Sequence, residues 1–474
     1  MEWPKKSDPL SLSDFEMRAR EMRYRLIAVA AIRAKIHHLF LGHHRGDQIE
    51  TILMRLTRNS TVSFLGLQGM SENSAIPCCE DIRGAHETED HGDFPDHPGE
   101  VSEHLSGSAD GGAKGVALSR PNGRLQLHRP LLQYDKSRLI SLCEINNILY
   151  VRDKTNFDPT LTLRNAIRHL RVKYKLPRAL QGESVLQLHA WARKSYLSLQ
   201  ERGKQCLDKT KVVAWDLRSG LMTISVSQDF ISTFASDPEA CAYAIARITS
   251  IISPQSRDGA PIVIPLRRIK DFVTRTQSVK SSTLNIEQVL FEKDPSTVKS
   301  PQEEVIWKLS RPPMRDFEVE HCTQEFTQQG IPVQDVNKSN WLMRPRKHGK
   351  VGLWSDWLLW DHRLWIRIWT ADSAQLKRIG IRPYRISDAT HLKKTLNREQ
   401  QIALQSKLAD AAPGKLRYTL PVLTVDSHVS IFPTLGCMVQ RSNSDPVLEW
   451  EVFWKVIDHA FIDNNRATIR WNNG

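Results

Sequence analysis

Two histidines, an aspartate and a glutamate fall within eight residues of one another in LGHHRGDQIETILMRL, residues 41–56. If this stretch is helical, Asp47 and Glu50 stand at i and i+3 and share one face, where paired carboxylates can attract an ammonium group or take its proton. A second reading is plainer: acids in the first turn of a helix are ordinary caps, because that turn has free N–H groups and a partial positive charge. A phosphate would be held there for the same reason. A metal reading uses His43, Asp47 and Glu50, but two consecutive histidines do not easily face one ion.

These side chains need elements to hold them. HLFLG, residues 38–42, is too short for a helix and apolar enough for a buried strand, and Ile49, Ile52, Leu53 and Leu56 recur at helical spacing after it. Upstream, Ser13 and Glu16 form an S-x-x-E capping box, and Phe15, Ala19, Met22, Leu26 and Val29 continue a helix to about Ile36. Arg20 and Arg23 lie off its apolar stripe. Helix, strand, helix in this rhythm reads as α/β, and ligands of open α/β sheets sit beyond the carboxyl ends of the strands, where HHRGD falls.

The chain has 474 residues, room for two or three cores, and a net charge of +13. Residues 71–124 hold eleven acids against four bases, so the remainder carries +20, a balance that suits a polyanionic partner such as RNA or DNA. That acidic segment, rich in Gly, Pro and His, reads as a disordered insertion; His86, His91, His97 and His104 could bind metal there, although such biased loops are usually inert. No apolar run approaches the roughly 20 residues that span a bilayer, so no membrane partner is expected. Seven scattered cysteines without a CxxC suggest neither a disulfide framework nor a zinc ribbon. The N-terminus shows no targeting signal, which leaves a mitochondrial or cytoplasmic location open.

Downstream, residues 135–147 predict a helix and 149–151 a strand. A basic helix follows from Thr160, with Arg164, Arg168 and Arg171 on neighbouring turns, where they could grip phosphates or form a solvated face. A long helix near 184–208, a hairpin near 211–227 and a helix near 237–252 come next. In VGLWSDWLLWDHRLWIRIW, residues 351–369, Trp365, Arg367 and Trp369 alternate onto one face; that face either stacks on bases or packs against a neighbouring element.

Several segments in order resemble one family. LGHHRGDQIETILMRL with GLQGM (66–70) is similar to the AHHxDDQxETxLxRL and GLxGM motifs of the tRNA(Ile)-lysidine synthases, members of the PP-loop ATP-pyrophosphatase group. FEMRAREMRYRL (15–26) resembles that family's E-x-x-AR-x-x-RY helix, RPLL (129–132) its RPLL turn, and VRDKTNFDPTLTLRNAIRH (151–169) its D-x-x-N-x-D-x-x-x-x-RN-x-x-R segment. The stretch at 420–436 is faintly similar to the family's terminal domain.

The resemblance implies a doubly wound parallel sheet of the PP-loop, adenine-nucleotide alpha-hydrolase type, followed by a mixed α/β C-terminal region. The expected domains are a partial synthetase domain at 1–70, the insertion at 71–124, the rest of the synthetase domain with a basic tRNA-contact helix at 125–176, a helical or mixed region at 177–340 and an α/β tRNA-binding region at 341–474. It also implies a ligase that adenylates C2 of the wobble cytidine of tRNA(Ile) with ATP and Mg²⁺, after which free lysine displaces AMP; a homodimer is a candidate assembly. By the same resemblance Asp47 and Glu50 hold and deprotonate lysine, His43 faces phosphate and Arg23 steadies developing phosphate charge. Arg20, Gln48, Arg164, Asn165 and Arg168 bind substrate, and no protein metal ligands are assigned. Two departures stand out: Gly46 occupies a position where the family has aspartate, and no SGGxDS phosphate loop is found, so the fold is expected to be N-terminally incomplete. An alternative is therefore a catalytically inactive, tRNA-binding relative that has lost that loop.

Overall fold

The computed structural model describes residues 15–58, 64–86, 106–107, 117–118, 125–151, 153, 155, 158–255, 264–278, 280, 282–294, 304–326, 353–370, 378–439, 448–455 and 468–470. The chain forms two compact units: residues 1–86, 123–202 and 257–262, and residues 87–122, 203–256 and 263–474. The division falls inside the long helix at 182–207, away from the borders expected at 177 and 341.

The first unit begins with α1 (Phe15–Arg33), β1 (His38–Phe40), α2 (Arg45–Arg58) and β2 (Asn73–Ala75). Two short strands of the second unit, β3 (Ser106–Gly107) and β4 (Ala117–Leu118), precede β5 (Gln126–His128). Then come α3 (Lys136–Ile145), α4 (Leu163–Lys173) and α5 (Gly182–Leu207). The sheet order is β1-β5-β2, with β1 parallel and β2 antiparallel to β5. Among the described strands this is an α/β arrangement with one parallel pair, and a larger doubly wound sheet is not part of it.

Four expectations are corrected here. The apolar stripe read along α1 is not its buried face: Tyr24, Ala28 and Ala31 are buried, while Leu26 is half exposed. Small alanines let that face lie close to Ile76, Cys79, Ala85, Leu125 and Leu127, and close packing outweighs side-chain size. Residues 71–86 are folded rather than disordered, since β2 pairs with β5 and Ile76, Cys79 and Ala85 join this core. Within that stretch His86 bonds the Ile76 carbonyl and faces Glu80; His91, His97 and His104 lie outside the described residues. Residues 149–151 form no strand: Leu149 is 98% and Val151 94% exposed, and both edges of β5 are already taken. Nor is β1 buried on both faces, because Phe40 is 71% exposed.

The helix after the strip matches its pattern. Ile49, Ile52, Leu53 and Met54 are buried with Ile167 of α4 and Val185 of α5. This core locks α2, α4 and the start of α5 together, so the polar residues of α2 that flank it meet α4 in a fixed register.

Among its described residues the second unit holds three sheets. One has the order β20-β6-β7-β10-β9-β8, built from β6 (Thr210–Asp216), β7 (Leu221–Val226), β8 (Thr283–Ile286), β9 (Val289–Lys293), β10 (Val305–Ser310) and β20 (Ile469–Arg470). Helices α6 (Gln228–Ser236), α7 (Pro238–Ile252) and α8 (Leu266–Gln277) lie between β7 and β8 in the chain, and Phe230, Phe272, Phe291 and Trp307 form an aromatic core. After the short α9 (Asp316–His321) and β11 (Gln324–Glu325), a second sheet pairs β12 (Leu353–Trp354) and β13 (Leu358–Trp360) with β14 (Leu364–Thr370), and β14 with β19 (Leu448–Trp454), which also takes β3 and β4. Trp365 and Trp369 are buried, and Arg367 lies 4.4 Å from the ring centroids of both Trp354 and Trp357 while paired to Glu451 at 2.6 Å. The Trp/Arg face is therefore packed within this sheet. The third sheet runs in the order β11, β15 (Ile379–Pro383), β16 (Pro421–Val425), β17 (His428–Phe432) and β18 (Cys437–Met438), and the helices Ile386–Thr395 and Arg398–Ala411 share a core with it centred on Leu408, Val422 and Phe432.

Candidate active site

The strip at 41–56 turns out to hold several kinds of chemistry at once. His44 precedes α2 and caps it: its Nδ1 accepts from the Gly46 N–H at 3.0 Å, and its own N–H donates to Asp47 Oδ2 at 2.9 Å. This is a reciprocal capping box with histidine as the cap, so the plain reading of Asp47 is realised by one of its two oxygens. A Cβ on Gly46 would lie 2.8 Å from the His44 ring. The glycine that departs from the family motif is thus what lets the ring fold over the helix end.

The other oxygen of Asp47 points toward α4, 3.7 Å from Arg164 Nη1 and 3.9 Å from Arg168 Nη2. Glu50 is 2% exposed and receives two hydrogen bonds of 2.9 Å from Arg168, through Nε and Nη2. Arg171 stands 3.8 Å and Arg164 4.0 Å from the same carboxylate. The carboxylates and arginines expected to serve two different substrates are instead in contact. A buried acid gripped bidentately by arginine is a strong, directional pairing, so Glu50 is not a free base in this conformation. The Glu50 bond holds Arg168 above the ordinary guanidinium range, whereas burial pulls Arg171 below it.

Gln48 and Asn165, expected at the substrate, work on loops. Gln48 donates to the Met70 carbonyl at 2.9 Å and accepts from the Met70 N–H at 2.7 Å, and its amide lies 3.1 Å from His189 Nε2. Arg55 adds bonds to the Gly66 and Gly69 carbonyls. Gly69 has φ +62°, and a Cβ there would sit 2.8 Å from the Gln48 amide, so GLQGM closes onto α2 only with glycine at that point. Asn165 donates to the carbonyls of Thr155 and Asp158, and Thr162 caps α4.

His43, at the carboxyl end of β1, carries the clearest mark of a binding site. Its Nδ1 is buried with no hydrogen-bond partner. Burial pushes its basicity down, Asp47 opposes this, and the positive charges of Arg129, Arg164 and Arg20 push it down further. Arg129, in the RPLL turn, is 6% exposed and binds the Ser71 carbonyl and Ser74, yet its Nε also lacks a partner. Burial lowers Arg129, a contact with Tyr24 opposes this, and Arg20 lowers it again. Arg20 is therefore the arginine of α1 whose charge reaches His43, Arg55 and Arg129. Arg23, assigned from the resemblance, is exposed on the same helix.

Two buried nitrogens without partners, on His43 and Arg129, within the charge fields of Arg20 or Arg164 and of Asp47, have the chemistry to accommodate an oxyanion. Arg129 and His189 are not among the residues that the sequence singles out. Arg129 lay inside a motif read only as a turn, and nothing local marks His189, 141 residues from Gln48. Among the described residues no group of three or more His, Cys, Asp or Glu side chains could hold a metal ion. A metal site at His43, Asp47 and Glu50 is not formed.

A family model described as a PP-loop domain matches residues 4–86 and 103–173, which covers α1, the strip, the RPLL turn and α4. The probable tRNA(Ile)-lysidine synthase of Schizosaccharomyces pombe is 24% identical over 436 residues, 90% of this chain and 75% of that protein. The chain carries a PP-loop domain and is homologous to tRNA(Ile)-lysidine synthases. The tRNA(Ile)-lysidine synthase of Bradyrhizobium sp. is 29% identical over 197 residues, 39% of this chain and 42% of that one. For that of Lactobacillus gasseri the figures are 26% over 167 residues, 35% and 27%. These two bacterial similarities cover 39% and 35% of this chain.

Proposed function

We propose that this protein is an ATP-dependent ligase that joins lysine to C2 of the wobble cytidine of tRNA(Ile). The observation that carries the reading is the pair of buried, unpartnered nitrogens on His43 and Arg129, both within the field of Arg20, with His43 at the carboxyl end of a parallel strand of the PP-loop domain and also within the field of Asp47. In the first step the C2 oxygen of cytidine attacks the α-phosphorus of ATP and pyrophosphate leaves. In the second the lysine ε-amine attacks C2, AMP leaves, and a carboxylate takes the surplus proton. The unpartnered His43 and Arg129 nitrogens suit phosphate oxygens, with Arg20 adding charge at the rim. Mg²⁺ would accompany the nucleotide, since Asp47 and Glu50 already face arginines.

The lysine seat is the Asp47 oxygen outside the cap, which faces Arg164 and Arg168 and becomes available when those arginines turn to a tRNA phosphate. Glu50 contributes only if Arg168 yields its carboxylate, and a tRNA phosphate drawing off Arg164 and Arg168 would achieve that. Under this reading the second unit supplies further tRNA contacts, and a doubly wound parallel sheet remains the parent architecture of the first.

A second reading has one observation in its favour: the acids are already engaged, Asp47 by the cap and Glu50 by Arg168, as in a relative that binds tRNA without modifying it. The two are separated by incubating the purified protein with tRNA(Ile) transcript, ATP, Mg²⁺ and lysine. Mass spectrometry of the digested tRNA should show cytidine bearing one lysine. Retained tRNA binding with neither AMP-tRNA nor lysidine would support the inactive relative instead.

A further inference from the structure

We propose that Cys206 and Cys241 form a redox modification site in the second unit, a buried dithiol that hydrogen peroxide converts to an intramolecular disulfide. Their Sγ atoms lie 3.3 Å apart, inside ordinary van der Waals contact for two sulfurs and about 1.3 Å from bonding distance. Cys206 stands in the last turn of α5 and Cys241 in the first turns of α7, both essentially buried.

The approach of the two helices is built in. Three residues before Cys206, Gly203 faces Tyr243, and a Cβ on that glycine would lie 2.2 Å from the tyrosine ring. No larger residue allows α5 this close to α7, and the close approach brings the thiols together. The pair is also polarised. The bond from Cys241 and the charge of Lys209 draw Cys206 below the ordinary thiol range, against the effect of burial, while its partner and burial push Cys241 up. Cys206 is therefore the first nucleophile. Because α5 ends at Leu207, fraying of its last turn is enough to admit a small oxidant.

The chemistry balances. The Cys206 thiolate attacks one peroxide oxygen, the S–O bond forms as O–O breaks, and water leaves once a proton is taken up. Cys241 then attacks the sulfenic sulfur, S–S forms as S–O breaks, and a second water departs. Two thiols and one hydrogen peroxide give one disulfide and two waters.

The test is peptide mapping of the full chain under non-reducing conditions after treatment with hydrogen peroxide. The expected result is a 206–241 linked peptide pair, two hydrogens lighter than the sum, reversed by dithiothreitol, with a melting temperature raised by several degrees through closure of a loop of about 35 residues. Cys206→Ala and Cys241→Ala should each abolish the linked pair, and Gly203→Ala should slow its formation at least several-fold. The proposal is overturned if both thiols stay reduced under peroxide that oxidises exposed methionines, or if Cys206 proceeds to sulfinic acid without a linked pair. Equal rates in wild type and Gly203→Ala would overturn the role given to the glycine. Wild-type mapping decides the main point even if a variant fails to fold.

Discussion

Arginine and carboxylate meet in two clusters of this protein, and the clusters differ in what they leave unfinished. In the second unit Arg311 and Arg363, each with a side chain 2% exposed, share Asp361, and Arg311 also binds Glu318 at 2.8 Å. Cys322 lies against the same aspartate, and burial pushes its thiol up to about 12. Between α2 and α4 the same residue types stand with arginine side chains about one-quarter exposed, three arginines to two acids, and two unpartnered nitrogens alongside. The first arrangement is sealed from solvent and serves the fold, although Arg363 Nη1 within it is also a buried nitrogen without a hydrogen-bond partner. The second has surplus positive charge and an open side, so it can exchange a protein partner for a ligand. Residue type does not separate a site from a structural cluster; burial and the balance of charges do.

The largest expected effect tests the sealed cluster. Asp361→Ala leaves two buried guanidinium groups short of a partner and should cost about 3–5 kcal/mol of stability in urea denaturation. Glu50→Gln, which leaves quarter-exposed arginines with Asp47 and solvent, should cost about 2 kcal/mol or less. Equal losses would erase the distinction drawn between the two clusters.

A smaller effect is expected at the open cluster, and in function rather than folding. Asp47→Asn can still accept the His44 N–H, so the cap and the stability should change little. Loss of its charge should raise the lysine concentration needed for lysidine formation at least about tenfold, or ~1.4 kcal/mol, with adenylation of tRNA much less affected. Collapse of adenylation with normal lysine dependence would move Asp47 to the nucleotide side of the site.

The smallest effect concerns pH. His43 is depressed below the ordinary imidazole value of 6.5, first by burial and then by neighbouring arginines, so above that value it is neutral folded and unfolded alike. As pH falls below 6.5, the unfolded chain takes up a proton that the folded one resists. Stability is lost until pH passes the depressed folded value. His43→Gln should make this loss shallower, and ATP should do the same in the wild type by favouring the charged imidazole. His189 is depressed as well, mainly by burial, so part of the slope should survive in the variant. An unchanged slope in His43→Gln, measured by melting temperature from pH 7 to 5, would remove His43 from the receptor.

Local pattern was enough for the helix of the strip, because Ile49, Ile52 and Leu53 repeat at the period of the helix they form and bury. The same holds for α4, for most of α5 and for the hairpin of β6 and β7. It was also enough to single out His43, Asp47 and Glu50, whose types and spacing carry chemistry whatever surrounds them. Tertiary structure decided the rest. Which face of α1 is buried depended on how closely alanines approach a sheet, and whether 149–151 pairs as a strand depended on free edges elsewhere. Most of all, Glu50 and Arg168 are 118 residues apart, and each alone reads as a group waiting for a substrate. Only the packing of α2 against α4 shows that they hold each other, since charge pairing is set by distance in space, on which local periodicity has no bearing.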